Sequence, residues 1–194
     1  GAGPRGPPPI SRPVGDESLQ RLMWGCVCGC GAAAHTTLGY LALYDDWDWE
    51  RAEAELITAL RLDRNDVLAR HGYADILTFR GNVAEGLRQV RLALEIDPLS
   101  PLLNGTYAGH LYVAGDFPHL LREISRIRAL VGDAAFGADF AASALWELGH
   151  FDDAVTEYRR IWSTDPALVR KLELTLRLEG PESAMRAAGD EVAS

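Results

Sequence analysis

Glycines and apolar residues recur along the chain at a fixed interval of 34 residues. Gly81, Gly115 and Gly149 mark this interval, and the residue two places after each of them is apolar. A constant period of this length is typical of arrays of helical hairpins, in which each unit buries its apolar face against its neighbours. The pattern therefore predicts an array of helix–turn–helix units.

Small and large apolar residues occupy defined positions of this 34-residue unit. When Pro98 and Pro166 are set at position 32, position 8 is alanine and position 11 is leucine in three successive units. Small residues at position 8 allow two helices to approach closely, and larger residues at positions 11 and 24 fill the space between them. The residues at positions 8, 11 and 24 are Ala74, Ala108 and Ala142; Leu77, Leu111 and Leu145; and Val90, Ile124 and Tyr158.

These positions resemble those that define the tetratricopeptide repeat. The template also fits upstream, with Leu38 and Gly39 at positions 7 and 8, and with one extra residue in the turn before Ala52, Leu56 and Ala59. The resemblance covers about four units, at residues 32–66, 67–100, 101–134 and 135–168. It implies an all-α fold, a right-handed α-α superhelix of about four helix pairs, followed by C-terminal capping helices in residues 169–194.

A second, narrower resemblance lies in the first turn of the array. Asp46-Trp47-Asp48-Trp49, followed by Ala52-Glu53, is similar to a variant found in tetratricopeptide regions of bacterial multidomain regulators. In those proteins a winged-helix, cyclase or kinase module precedes the array. The resemblance implies a bacterial regulatory context but no activity for this chain. Tryptophan side chains bury large areas, so we expect at least one of Trp47 and Trp49 to pack in the turn, although one could instead anchor a partner.

Helical periodicity and capping residues predict the bounds of the helices. Asp48, Asp66 or Asn65, Ser100 and Asp116 are suited to N-cap positions, because their side-chain oxygens can accept from free amides of the first turn. Glycines in the later turns are suited to the left-handed position after a helix. The predicted helices are 33–44, 49–62, 67–80, 83–96, one that begins at 101, 117–131, 135–148, 151–163, 167–178 and 181–192.

Residues 1–31 do not match a preceding repeat. They are rich in glycine and proline and contain all three cysteines of the chain, Cys26, Cys28 and Cys30. A segment with so little to bury is predicted to be a disordered head. A short helix at residues 16–24 is conceivable, but we expect the glycines between Gly25 and Gly31 to end it.

Charge and composition limit the partners and the compartment. The chain of 194 residues carries 28 acidic and 19 basic residues, a net charge of −9. It therefore lacks the excess of cations that nucleic acids and anionic membrane surfaces attract, and we expect neither as a partner. The stretch from Leu22 to Tyr44 has no charge, but its glycines, threonines and His35 argue against a membrane span. Because no disulfide framework is evident, we expect a cytoplasmic protein.

Candidate catalytic and metal-binding chemistry is sparse. Cys26, Cys28 and Cys30 could offer thiolates to a metal, with His35 as a fourth ligand, but zinc sites usually space their cysteines by two to four residues. No phosphate-binding loop, nucleophile elbow or paired histidine motif is present. We therefore expect no enzymatic activity, no catalytic residue, no metal site and no cofactor, and we keep metal binding through the cysteines as a third alternative.

The most plausible binding surface is the inner groove of the array. In stacked helical hairpins the first helix of each unit faces this groove, which is the usual site of ligand binding. Tyrosine and tryptophan at such positions are typical of binding hot spots. The predicted groove residues are Tyr40, Tyr44, His71, Asp75, Phe79, Tyr112, Asp139, Ser143, Trp146 and Glu147.

The predicted function follows from this groove. We expect a protein-binding or peptide-binding scaffold that forms one module of a larger bacterial regulatory protein. Its exposed inner charges are expected to be Asp75, Asp139 and Glu147, so the partner should combine apolar anchors with basic residues. The alternative from another class is a module through which copies of the protein associate with each other.

Overall fold

The structure, a computed structural model, describes the backbone of residues 17–192 and the side chains of residues 31–187. The described part of the chain is helical and contains no strand. Its ten helices are α1 (Glu17–Tyr44), α2 (Trp49–Leu62), α3 (Val67–Phe79), α4 (Val83–Ile96), α5 (Pro101–Val113), α6 (Phe117–Val131), α7 (Ala138–Glu147), α8 (Phe151–Ile161), α9 (Pro166–Glu179) and α10 (Pro181–Val192). The predicted all-α fold is confirmed.

Consecutive helices pack in pairs, and the pairs stack side by side. Each odd-numbered helix contacts the helix that follows it, and α1, α3, α5 and α7 also contact one another in sequence. The last pair, α9 and α10, coincides with the two helices predicted after the array. Among the helices that the structure describes, none combines the length and apolar character needed to cross a membrane.

The helices begin at the predicted caps. The side chains of Asp48 and Asp66 accept hydrogen bonds from the backbone amides three residues later, at 3.0 and 2.9 Å. Ser100 and Asp116 cap α5 and α6 in the same way. Each such cap typically contributes about 1 kcal/mol, because it satisfies an amide that has no partner within the helix.

The turns between paired helices depend on left-handed backbone geometry. Gly81, Gly115 and Gly149 have φ angles of 85°, 71° and 76°, and a Cβ added at any of them would have no atom within 4 Å beyond its two chain neighbours. Conformation, and not space, therefore favours glycine there. In the first turn Trp47 takes this role with φ of 55°, and its side chain is 70% exposed. Trp49 packs against Phe79, with ring centroids 5.8 Å apart, so the prediction that at least one tryptophan packs in this region is confirmed.

Small residues allow the helices of a pair to approach closely. Ala74, Ala108 and Ala142, at position 8, are at most 2% exposed. At the equivalent Gly39, an added Cβ would lie only 2.6 Å from Cγ of Leu56. The register deduced from the 34-residue interval is therefore the register in which the core packs.

The prediction that residues 1–31 form a disordered head is wrong from Glu17 onward. Helix α1 runs without interruption from Glu17 to Tyr44, through Gly25, Gly29 and Gly31. A glycine costs a helix only about 1 kcal/mol relative to alanine, and it leaves the hydrogen-bond ladder intact, whereas a proline would interrupt it. Residues 1–16 lie outside the described part of the chain.

The predicted start of the fourth unit is also wrong by three residues. Helix α7 begins at Ala138 and not at residue 135, because Gly137 adopts φ of 63°. Nε of Arg128 donates to the carbonyl oxygen of Phe136 at 2.8 Å, and the same guanidinium binds both carboxylate oxygens of Glu157. These contacts hold the preceding residues in a turn, so the helix starts later than its apolar pattern indicates.

Candidate interaction groove

The face formed by the odd-numbered helices carries a network of polar side chains, four of which, His71, Asp75, Thr78 and His110, are buried. Between α1 and α3, the Tyr40 hydroxyl lies 2.5 Å from Nδ1 of His71, and the Tyr44 hydroxyl donates to Oδ2 of Asp75 at 2.8 Å. His71 and Asp75 are 6% and 8% exposed. These two hydrogen bonds join α1 to α3 through side chains 31 residues apart.

The network continues from α3 to α5. Nε2 of His110 lies 3.0 Å from Oδ1 of Asp75, so its N–H donates to the carboxylate, and Nδ1 of His110 lies 3.2 Å from the Thr78 hydroxyl. Nε2 of His71 lies 2.8 Å from the hydroxyl of Thr106. Both oxygens of Asp75 are therefore engaged, one by α1 and the other by α5. We call these seven residues the polar network: Tyr40, Tyr44, His71, Asp75, Thr78, Thr106 and His110.

Burial governs the protonation of this network. Burial lowers the pKa of His71 below its ordinary value, an effect that the nearby His110 reinforces and the Asp75 carboxylate opposes. Burial, together with the charge of Asp75, raises the pKa of the Tyr40 and Tyr44 hydroxyls. These shifts favour a neutral His71 and protonated Tyr40 and Tyr44 at neutral pH.

The prediction that Asp75 is an exposed inner charge is wrong. Its carboxylate is buried and accepts hydrogen bonds from two neighbouring helices, so it serves the packing of the odd-numbered helices. A buried carboxylate needs such partners to compensate for lost hydration. The sequence offered one indication: His110 follows Asp75 by 35 residues, one repeat plus one position, which places the two side chains on adjacent helices.

An open apolar groove lies beside this network, over α5. It encloses about 480 Å³ between α3, α5 and the start of α7. Its floor is the backbone of α5 at Gly105 and Gly109, and its sides carry the exposed apolar side chains of Phe79, Leu102 and Val113. We call this surface the α5 groove. The remaining lining residues are Asp75, Thr78, Pro101, Thr106, His110, Tyr112 and Phe140.

The two floor glycines have different surroundings. An added Cβ at Gly109 would lie 3.1 Å from the ring of Phe140, so this glycine leaves room for a neighbouring side chain. At Gly105 an added Cβ would have no atom within 4 Å beyond the adjacent residues and the backbone of its own helix. The space above Gly105 is therefore open to an incoming group.

The structure distributes the ten predicted groove residues over several environments. Asp75, Phe79 and Tyr112 line the α5 groove, whereas Tyr40, Tyr44 and His71 belong to the polar network on and beside α1 and α3. Among the residues on α7, Asp139 and Glu147 are exposed and Ser143 is half-buried. Trp146 packs against Phe151 and Tyr158, with ring centroids 4.9 and 6.2 Å away, which favours a structural role.

Two features of the candidate metal site can be described. Nδ1 of His35 lies 2.5 Å from Oε2 of Glu55, an ion pair if the imidazole is protonated. Within residues 31–187 no group of three or more histidine, cysteine, aspartate or glutamate side chains is arranged to hold a metal ion. The side chains of Cys26, Cys28 and Cys30 lie outside the described ones, so metal binding through them stays a prediction.

Comparisons with known proteins support the fold. No protein-family profile and no curated protein matches this chain. Among solved structures, the MamA protein is similar with a TM-score of 0.63 and 15% identity, over 83% of this chain and 88% of MamA. YrrB, described as a TPR protein with an unusual peptide-binding site, is similar with a TM-score of 0.57 and 18% identity, over 79% of this chain and 80% of YrrB.

The fold is tetratricopeptide-like. At such low identity these similarities define the architecture alone. The tetratricopeptide-like arrangement of helix pairs nevertheless places the α5 groove on the face formed by the first helix of each unit.

Proposed function

We propose that this protein is an interaction scaffold whose α5 groove binds an apolar segment of a partner protein. The observation that carries the proposal is the open floor at Gly105 between exposed apolar side chains. A large apolar side chain of a partner would fill the space above Gly105 and cover Phe79, Leu102 and Val113, which are 53%, 49% and 59% exposed. Removing such a surface from water is favourable by about 25 cal/mol per Å².

The cost of glycine supports a role for this floor. Glycine in the interior of a helix is less favourable than alanine by about 1 kcal/mol. At Gly109 the close ring of Phe140 explains the choice, but at Gly105 no neighbouring atom does. If a ligand approaches the backbone of α5 at Gly105, both the absence of a side chain there and the open space above it are explained.

The predicted preference of the groove for basic partners now depends on fewer acidic residues. Because Asp75 is buried, only Asp139 and Glu147 of the predicted acidic groups are exposed. We propose that basic residues of a partner contribute mainly to the rate of association, whereas the apolar anchor determines affinity. Acidic peptides are expected to bind weakly.

The wider context of the scaffold is also a proposal. The Asp46-Trp47-Asp48-Trp49 sequence supports a role as one module of a larger bacterial regulatory protein that acts in the cytoplasm. The similarity to YrrB, whose description names a peptide-binding site, supports a peptide or protein as partner.

Substitution at the groove floor tests the proposal. Peptides selected on the full-length chain from a random peptide library would be measured against the Gly105→Leu variant by fluorescence polarisation. The added side chain enters open space, so the variant should be at least as stable as the original chain, and its affinity for groove peptides should decrease by at least tenfold.

Ala84→Leu, at an exposed position of α4, is the matched control and should leave affinity unchanged. If the selected peptides lack apolar anchors, or bind the Gly105→Leu variant as well as the original chain, the α5 groove is not the binding site.

A further inference from the structure

The outer face of α1 carries apolar residues at repeat positions that are covered in the other units. Leu38 and Leu41 are 36% and 44% exposed, and Ala34 on the same stripe is also exposed. These residues occupy positions 3, 7 and 10 of the first unit. The equivalent residues of α3, Ala69, Tyr73 and Ile76, pack in one cluster with Leu56 and Ala59 of α2.

The same coverage is found in the later units. Leu103, Tyr107 and His110 of α5 are at most 6% exposed, and Ala141 and Ala144 of α7 are at most 2% exposed. Helices α4 and α6, the second helices of the preceding units, contact α5 and α7, and Val90 of α4 and Ile124 of α6 lie in one cluster with Tyr107, Ala141 and Ala144. His110 instead bonds to α3. The stripe on α1 therefore corresponds to the surface on which another helix packs in the later units.

The part of α1 that carries this stripe has no fixed charge. No charged residue occurs from Leu22 to Tyr44, and all of these residues lie within the continuous helix. A helix of 28 residues is about 42 Å long. Residues 31–44, the part of α1 whose side chains are described, contain no aspartate, glutamate, lysine or arginine, so no side of this part carries a fixed charge.

Charge distinguishes the helices that a second copy could place on this stripe. Helix α10 of another copy would offer Glu182 and Arg186, both exposed and charged. Helix α1 of another copy offers the same uncharged surface, and a net charge of −9 on each chain makes an uncharged contact the least repulsive one.

We propose that two copies of this protein associate through α1, with the two helices antiparallel about a two-fold axis near Leu38 and Leu41. Each α1 then takes the place that the second helix of a preceding unit would take on the other copy. Such a contact is isologous, because the same patch of both copies is used. The association is independent of the α5 groove, which lies over α5 and stays accessible.

Sedimentation of the full-length chain tests this assignment, with reducing agent present because of the three cysteines. Across a concentration series the original chain should approach twice the 21.2 kDa mass of one copy. The Leu38→Glu/Leu41→Glu variant should remain at the mass of one copy, with an unchanged helical circular dichroism spectrum since both side chains are exposed. Leu174→Glu, at a residue of α9 that is 58% exposed, is the matched control and should still dimerise.

A charge-complementation experiment identifies the partner surface. The Leu38→Lys/Leu41→Lys variant should also be monomeric alone, but an equimolar mixture with the glutamate variant should recover the dimer, because opposite charges then face each other across the axis. An original chain that stays monomeric overturns the proposal, as does a glutamate variant that still dimerises or a mixture that does not recover. If Leu174→Glu abolishes association to the same extent, the interface is elsewhere and the assignment to α1 fails.

Discussion

Substitution of Asp75 by alanine tests the structural role of the polar network. The side chain accepts from Nε2 of His110 at 3.0 Å and from the Tyr44 hydroxyl at 2.8 Å, and the residue is 8% exposed. Alanine removes both acceptors, and it also removes the only carboxylate that joins α1, α3 and α5 within this network.

The size of the stability loss in Asp75→Ala depends on which hydrogen-bond donors lose their acceptor. His110 is 5% exposed, so its N–H would be left buried without an acceptor, which costs about 1–3 kcal/mol. Tyr44 is 44% exposed, so its hydroxyl can turn to water and should add less than about 1 kcal/mol. We therefore expect Asp75→Ala to lower the free energy of unfolding by about 2–3 kcal/mol, equivalent to a fall in Tm of roughly 4–12 °C for a chain of this size.

Urea unfolding followed by circular dichroism measures this loss, provided that the dependence on urea concentration has the same slope in both proteins. Asp139→Ala removes an exposed carboxylate from the same face of the array and should change stability by less than about 0.5 kcal/mol. Asp75→Asn retains one acceptor for His110 and should lose less than Asp75→Ala. If Asp75→Ala is as neutral as Asp139→Ala, the carboxylate is not part of a buried network and the reasoning is refuted.

Three further predictions concern the network, the core and the first turn. Because burial lowers the pKa of His71, the unfolded chain binds a proton at this residue more readily than the folded chain. The contribution of His71 to the free energy of unfolding should therefore be fully present above pH 6.5 and should decrease as the pH falls below that value. His71→Gln should weaken this dependence in urea titrations at several pH values. Ala108→Leu, at a residue that is 2% exposed, should cost about 1–3 kcal/mol in urea unfolding, whereas Ala84→Leu should be near neutral; equal effects would show that the register is wrong. Trp47→Gly should raise Tm by relieving up to about 1 kcal/mol of left-handed backbone strain, and a loss of stability would mean that the exposed ring contributes more than the strain costs.

The architecture could be predicted from sequence because it depends on local and repeated requirements. Gly81, Gly115 and Gly149 mark turns that need positive φ, and the alanines at position 8 mark helix contacts that exclude larger side chains. Each requirement acts within one unit and recurs in the next, so a single sequence contains several copies of the same evidence. The predicted helices after Pro166 matched for a similar reason, since Asp165 and Gly180-Pro181 are strong boundary residues.

The structure departs from the sequence-based predictions where contacts between helices of different units outweigh the local pattern of apolar and capping residues. The delayed start of α7 depends on Arg128, which reaches both Phe136 and Glu157 from α6. The burial of Asp75 depends on two partners that are 31 residues before it and 35 residues after it. A sequence position that faces the inner side of the array is compatible with an exposed ligand contact or with a buried hydrogen bond between adjacent helices, and only the geometry of the neighbouring helix distinguishes them.

The position of the polar network beside the α5 groove has a consequence for binding. Asp75, Thr78 and His110 line the groove and at the same time join α3 to α5 by hydrogen bonds. The spacing of these two helices is therefore fixed before any partner arrives, and a partner does not have to order them. Ordering costs of this kind oppose association, so a groove whose width is set by buried hydrogen bonds retains more of the favourable free energy of apolar burial. A partner that inserts above Gly105 would thus meet a preformed floor. Weakening the network at His71, which bonds to Thr106 of α5 but does not line the groove, would then reduce affinity without removing a ligand contact.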